Sequence, residues 1–239
     1  MAEASAPTFL MAGGRGMKIR KGPDPLLIEV FRRTNVQRPT VAYVGAASGD
    51  SAEFQLWVAG LLQKAGAGEV TLAPLCGRRG DAKKAKTVLE SSDLVFLSGG
   101  DVEEGLRVLN EKGMVAVLRR LHRAGKVFFG MSAGSIILAQ RWVRWRDPAD
   151  DASSELFDCL GLAPVLCDTH GEDDGWEELK TLLALSAKGA IGYGIVSGTG
   201  IVVETEGTVS ALGGEVHRFQ KQTGGIMQVE SLFPDKRAR

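Results

Sequence analysis

The segment "FFGMSAGSII", residues 128–137, places a serine between two glycines where one apolar run ends and another begins. Gly130 to Gly134 fits the pattern G-x-S-x-G, with Ser132 at its centre. The apolar residues predict a buried strand before the serine and a helix after it. In that context the glycines permit a sharp turn that lifts the serine hydroxyl above the end of the strand. The amide of Ala133 would then face an oxyanion. The pattern indicates a nucleophile; the alternative is a strand–helix turn that binds a phosphate or nothing.

Strand-like and helix-like segments alternate on both sides of this turn. The strand-like segments are 8–14, 40–48, 69–75, 93–101, 126–130, 189–207 and 208–212. The helix-like segments are 24–34, 51–67, 81–92 and 103–124, the last interrupted near Gly113. This order predicts an α/β fold with a doubly wound, mostly parallel sheet and helices on both faces. We interpret residues 1–239 as a single domain, frayed at 1–7 and 233–239.

Composition excludes several classes of function. The chain carries 29 basic and 29 acidic residues, so its net charge of zero argues against a nucleic acid or an anionic membrane as partner. No apolar run reaches the length of a spanning helix, and the first residues do not resemble a secretion signal. The three cysteines match no zinc spacing. We therefore expect a cytoplasmic protein, and the serine chemistry considered below implies no metal and no organic cofactor.

A second glycine-rich turn is predicted at the same edge of the sheet. The segment "SGGD", residues 98–101, ends the strand that precedes the serine strand. Ligand sites of parallel sheets lie beyond the carboxyl ends of the strands. Gly99 or Gly100 could therefore bring a second amide to the oxyanion, although a phosphate-binding turn has the same sequence.

A nucleophilic serine needs a base, and the chain has three histidines. His122 lies among arginines on a helix, which predicts a solvated position. His217 falls in a late strand or turn. His170, in "LCDTHGED", follows an apolar run, which predicts a position at the end of a strand. By elimination His170 is the best candidate base.

Together, "SGGD", "GMSAGS" and "DTH" resemble peptidase family S51, the relatives of dipeptidase E and cyanophycinase, over roughly residues 8–205. The resemblance implies a fold like that of the flavodoxins and class I glutamine amidotransferases. It also implies a serine hydrolase that cleaves a small peptide, isopeptide or amide. The implied site residues are Ser132 as nucleophile, His170 as base, Gly100 and Ala133 as oxyanion hole, and Gly99, Asp101 and Asp168 near the substrate.

Three departures from the family pattern bear on the substrate and on the third member of the triad. Ser197 stands where the family has a catalytic glutamate, and Val102 where it has a glutamine. The acidic segment 172–178 stands where cyanophycinase-like members have arginines that bind an acidic group. We therefore expect an acidic side chain not to be preferred, unless Arg144 or Arg146 reaches the cleft.

Other interpretations stay open at this stage. The departures also suit a non-catalytic binding or regulatory member of the same fold. An esterase of the α/β-hydrolase fold shares the serine turn, with His217 as its only candidate base. The acidic segment could simply begin a helix, where carboxylates suit the dipole. The segment "RWVRWR", residues 141–146, could form a strand edge, a carboxylate-binding patch or the contact of a homodimer.

Overall fold

The computed structural model describes residues 6–13, 22–34 and 36–234. Thirteen strands lie in these ranges: β1 Thr8–Met11, β2 Val41–Val44, β3 Val70–Leu72, β4 Leu94–Leu97, β5 Val127–Met131, β6 Arg141–Trp145, β7 Ser154–Asp158, β8 Leu166–Thr169, β9 Ile191–Ile195, β10 Gly200–Val203, β11 Val209–Leu212, β12 Val216–Gln222 and β13 Gly225–Leu232. The α-helices there are α1 Pro25–Arg32, α2 Ala52–Lys64, α3 Ala82–Ser91, α4 Val102–Glu111, α5 Met114–Arg123, α6 Ala133–Leu138 and α7 Glu177–Leu185.

The main sheet has seven strands in the order β11-β10-β1-β5-β4-β2-β3. The five strands from β1 to β3 in this order are parallel, whereas β10, near one edge, pairs antiparallel with both β1 and β11. This mostly parallel α/β sheet confirms the predicted fold class. The carboxyl ends of β1, β2, β4 and β5 consequently meet at one edge.

Both faces of the main sheet are covered, which explains its uninterrupted apolar strands. Val41 and Tyr43 on β2 face α1 and α2, while Ala42 and Val44 face the core formed with α3 to α6. The predicted interruption of 103–124 is confirmed, because Gly113 adopts φ 67° between α4 and α5. Glycine adopts this left-handed conformation without the clash that a Cβ would cause.

A second, four-stranded sheet has the order β13-β12-β9-β8, and β8 and β9 in it are parallel. The sequence placed strands at 189–207 and 208–212, which correspond to β9, β10 and β11. No strand was predicted for Gly225–Leu232, where the alternation of buried and exposed residues is weak because half of the residues of β13 are exposed and none is buried.

The segment 141–146 forms β6 and pairs with β7 in an antiparallel hairpin, as the strand-edge interpretation expected. Cys76, Cys159 and Cys167 are unpaired. Across the described ranges, none of the helices has both the length and the apolar character needed to cross a membrane.

Candidate active site

Ser132 occupies a strained turn between β5 and α6. Its backbone has φ 54° and ψ −125°, a combination that costs a residue with a Cβ roughly 1–3 kcal/mol. Its amide donates to the Met11 carbonyl at 2.8 Å, which holds the turn against β1. The flanking glycines are required by close packing. A Cβ on Gly134 would lie 2.1 Å from the Leu97 carbonyl oxygen, and one on Gly130 would lie 2.6 Å from the Gly134 backbone.

The second serine of "GMSAGS", Ser135, anchors this turn. Its buried hydroxyl donates to the Met11 carbonyl at 2.9 Å and accepts from the Met11 amide at 2.8 Å. Ser135 thus joins α6 to β1 and holds in place the turn that carries Ser132. The role of Ser135 is structural, whereas Ser132 is the candidate nucleophile.

A cavity of about 320 Å³ opens at the carboxyl ends of the strands and brings four of the predicted site residues together, Gly99, Gly100, Ser132 and His170. It is lined by Ala12, Ser48, Phe54, Gly99, Gly100, Met131, Ser132 and His170. The prediction of one shared edge is therefore confirmed for these strand ends. Sequence reasoning missed Ser48 and Phe54; the end of the predicted strand 40–48 was the available signal for Ser48.

The two glycines after β4 bring backbone close to Ser132. A Cβ on Gly99 would lie 3.3 Å from the Ser132 Cβ, and Gly100 has φ 142°, with the position of its missing Cβ only 1.9 Å from the Ala47 carbonyl oxygen. Within the described residues, the amides of Gly100 and Ala133 have no protein acceptor. Free amides at these two positions are compatible with an oxyanion hole, and that role stays a prediction.

His170 follows β8 and adopts the left-handed φ of 69°. Its Nδ1 lies 3.0 Å from the Ser197 hydroxyl, which follows the neighbouring strand β9. In the parallel register Thr169 pairs with Ile195, so the next few residues of both strands meet. Ser197 thus takes the place beside the histidine that a catalytic acid would take. Within the described residues no hydrogen bond joins His170 to Ser132. Such bonds are often long when no ligand is bound, so their catalytic pairing stays a prediction.

Asp168 does not line the cavity. It is 2% exposed, one oxygen accepts the Thr169 amide at 2.6 Å, and the other has no protein partner in the described part of the chain. Burial raises the pKa of Asp168 to about 7, and the charges of Glu178 and Asp174 add to that effect. A substrate contact by Asp168 stays a prediction.

Asp101 also lies outside the serine cavity. Its carboxylate accepts the Glu104 amide at 2.8 Å and caps α4. It borders a neighbouring cavity of about 600 Å³, together with Arg144 and Phe157. Its predicted contact with substrate is likewise untested.

The other two histidines are not at the cavity. The prediction of a solvated His122 was wrong: the ring is 9% exposed, lies 2.9 Å from the Thr8 hydroxyl, and has a pKa lowered by burial. The helical stripe suggested exposure because its arginines are exposed, but the ring packs edge-on against Phe128 under the sheet. His217 lies on β12 against Trp176 and cannot serve the esterase interpretation.

The charged segments 141–146 and 172–178 lie in different places relative to the serine cavity. Arg144 pairs with Glu155 at 2.7 Å and with Glu103 at 3.4 Å, and Arg146 pairs with Glu155, so neither arginine lines the serine cavity. Glu177 and Glu178 occupy the first turn of α7, as the helix-start interpretation expected. Glu172 is different, because it contacts Ser197.

Comparisons with known proteins are consistent with the fold. Residues 9–210 match the family model described as peptidase family S51. A cyanophycinase from Nostoc sp. is 24% identical over 217 residues, 88% of this chain and 72% of that protein. A pyridoxal 5'-phosphate synthase subunit PdxT from Geobacillus sp. is 34% identical over 73 residues, 30% of this chain and 38% of that protein.

Two solved structures share the fold. A peptidase from an acI-B1 Actinobacterium superposes with a TM-score of 0.72 at 18% identity and covers 98% of both chains. A putative peptidase E protein from Listeria monocytogenes gives a TM-score of 0.61 at 18% identity, covering 87% of this chain and 98% of its own.

Proposed function

The chain belongs to peptidase family S51, and we propose that it is a serine peptidase that cleaves a small peptide or isopeptide, as a dipeptidase does. The observation that carries the proposal is the strained Ser132, which shares one cavity with His170 and with unpaired backbone amides. Strain of this kind persists where the surrounding packing enforces it, and it is concentrated at active sites.

The chemistry follows from the positions of these groups. His170 takes the proton of Ser132 as the hydroxyl oxygen attacks the substrate carbonyl. The amides of Gly100 and Ala133 hold the resulting oxyanion. His170 then protonates the leaving amine, and a water molecule, activated by the same imidazole, releases the acyl group from Ser132.

The cavity supports a small substrate with a neutral or basic side chain. Its volume of about 320 Å³ lies at the lower end for ligand sites. Ala12, Phe54 and Met131 give it an apolar wall, and Glu172 lies beside the histidine. A carboxylate on the substrate would meet like charge there, which disfavours an aspartyl side chain. We also propose a reducing, cytoplasmic location, because the three cysteines are unpaired.

The second candidate function is a non-catalytic binding protein of the same fold. Ser197 favours it, because an uncharged hydroxyl replaces the acid beside His170. The two candidates differ in whether Ser132 forms a covalent bond.

An alkyl fluorophosphonate distinguishes them. We expect a stoichiometric adduct on Ser132, located by peptide mass spectrometry, and no adduct in Ser132→Ala. Ser91→Ala, which changes a serine at the end of α3, should label like the wild type. Hydrolysis of Asp-, Ala- and Lys-containing dipeptides then tests the substrate. Intact, unlabelled wild-type protein would favour the binding function, and preference for the aspartyl dipeptide would contradict the proposed specificity.

A further inference from the structure

The base of a serine hydrolase needs a partner at Nδ1 that fixes its tautomer and stabilises the imidazolium that forms. Ser197 provides only the first of these. Its hydroxyl, 3.0 Å from Nδ1, can accept the Nδ1 proton and leave Nε2 free to act as base. It carries no charge, so the site lacks a carboxylate in direct contact with His170.

A carboxylate lies immediately behind Ser197. The Ser197 amide donates to Oε1 of Glu172 at 2.5 Å. Partial burial opposes ionisation of Glu172, but hydrogen bonds from the Ser197 amide, its own amide and the Ser197 hydroxyl, together with the nearby His170 ring, lower its pKa. Glu172 is therefore ionised at neutral pH, and it contacts the residue that contacts the base.

The turn that carries both His170 and Glu172 is held by packing. The Trp176 amide donates to the Gly171 carbonyl at 2.8 Å, closing the turn. The Trp176 indole fills the space above two glycines: a Cβ on Gly171 would lie 2.6 Å from the ring and one on Gly194 would lie 2.9 Å from it. The side chain is 5% exposed. This turn is consequently fixed relative to β9, which leads to Ser197.

We propose that Glu172 is a positioning residue that supplies the missing negative charge of the triad through the Ser197 hydroxyl. In the proposed chain the Nδ1 proton of His170 is donated to the Ser197 hydroxyl, and that hydroxyl turns its own proton toward the Glu172 carboxylate, whose Oε1 already accepts the Ser197 amide. Every proton stays on its own residue, and Glu172 remains ionised while the imidazolium forms and decays. The carboxylate thus comes from the turn after β8 and not from the end of β9. The inference rests on the proposed peptidase function.

Few other charges face the imidazole. The cavity residues from β1, β2, β4, β5 and α2 are uncharged. On the histidine's own strand the nearest carboxyl is Asp168, which is buried on β8 beside Glu178 and Asp174 and not beside Ser197. Within the described residues, Glu172 is therefore the carboxylate placed to act on His170 through a hydrogen-bonded neighbour.

The first test compares Glu172→Gln with Asp173→Asn, a matched loss of charge at the adjacent exposed residue. We expect Glu172→Gln to lower kcat by about 10- to 100-fold, a part of what general base catalysis contributes, with little change in KM. The acid limb of the kcat/KM profile should move to lower pH, because a neutral side chain no longer favours the imidazolium. Asp173→Asn should change neither quantity. An unchanged rate and pH profile in Glu172→Gln would overturn the inference.

The second test uses Ser197. Because Glu172 acts through the hydroxyl, the double variant Glu172→Gln/Ser197→Ala should be no slower than Ser197→Ala alone. Ser197→Asp, added to Glu172→Gln, places a carboxylate directly at Nδ1. This double variant should therefore recover at least part of the rate that Glu172→Gln loses. Additive losses, or no recovery with Asp at position 197, would reduce Glu172 to a structural role.

A spectroscopic test is independent of turnover. In Ser132→Ala, the Nδ1 proton of His170 should resonate far downfield, and it should move upfield when Glu172→Gln is added but not when Asp173→Asn is added. If the wild type hydrolyses nothing yet this shift is seen, the peptidase proposal fails while the hydrogen-bonded chain stands. If the resonance does not move in Glu172→Gln, the proposed hydrogen-bonded chain from His170 to Glu172 is contradicted.

Discussion

The two halves of the candidate site are built in different ways. On one side the turn between β5 and α6 holds Ser132 by backbone contacts, in which Gly130 and Gly134 leave no room for a Cβ. On the other side the ends of β8 and β9 hold His170 by side-chain contacts with Ser197 and, through its turn, with Trp176. The first half depends on steric exclusion within a short segment. The second depends on contacts between residues far apart in the chain. The acid that supports His170 can therefore come from a different position while the fold stays the same.

The largest expected effects are on the reaction and compare the two halves directly. Ser132→Ala and His170→Ala should each lower kcat by at least about 10³-fold, because neither nucleophile nor base acts alone. His170→Ala should also slow fluorophosphonate labelling of Ser132 by a similar factor. His217→Ala, which removes an imidazole outside the cavity, should keep both rates within about threefold. Rapid labelling of His170→Ala would show that the two halves are not coupled.

Trp176→Ala should loosen the histidine half. Removing a buried tryptophan typically costs about 3–5 kcal/mol of unfolding free energy. We expect a lower chemical denaturation midpoint together with a loss of kcat at temperatures where the variant is folded, because the turn carrying His170 is no longer held. Urea titration and kinetics at 15 °C measure the two effects. Full activity of the folded variant would contradict a positioning role for Trp176.

Gly134→Ala tests the serine half. The new Cβ would lie 2.1 Å from the Leu97 carbonyl oxygen, so backbone must move, at a cost of about 1–3 kcal/mol or more. Gly60→Ala is the matched control, because that glycine lies within α2 with nothing within 4 Å of its Cβ position, and alanine should stabilise the helix by up to about 1 kcal/mol. Equal melting temperatures for the two variants would contradict the steric account.

The last comparison concerns how stability depends on pH, which Asp168→Asn should change. The pKa of Asp168 is raised to about 7 in the folded protein, from the ordinary value of 3.8, by burial. The folded state therefore binds more protons than the unfolded state between these values, and stability falls as pH rises through this window, by at most about 1.4 kcal/mol per unit. The gain in melting temperature of Asp168→Asn over wild type should thus grow from pH 5 to pH 8. Asp173→Asn should show no such trend.

The sequence was sufficient for features that depend on neighbouring residues. The order of strands and helices up to Leu138 followed from apolar runs and helical spacing, and the strand–serine–helix turn followed from Gly130 and Gly134. The gap between α4 and α5 followed from Gly113. These features are local because a missing Cβ or a run of buried side chains restricts the chain where it occurs.

Features that depend on distant contacts were not predicted from the sequence. His122 was placed in solvent because its helix neighbours are charged, whereas Thr8 and Phe128 enclose it. Phe54 reached the cavity from a helix whose apolar stripe gave no sign of the site. In the sequence Glu172 appeared only as part of an acidic segment that could begin a helix. Ser197 appeared only as the residue that replaces the expected acid.

The sequence by itself determined that this chain forms a mostly parallel α/β sheet with Ser132 at a sharp turn beyond the carboxyl end of β5. The sequence also named His170 as the candidate base, but the tertiary structure alone decided which groups surround that histidine. The pairing of β8 with β9 brings His170 and Ser197 together across 27 positions and brings Glu172 to the Ser197 amide across 25. The physical reason is that a backbone turn is set by sterics within a few residues, whereas the contacts of His170 and Glu172 with Ser197 exist only after strands distant in sequence have paired.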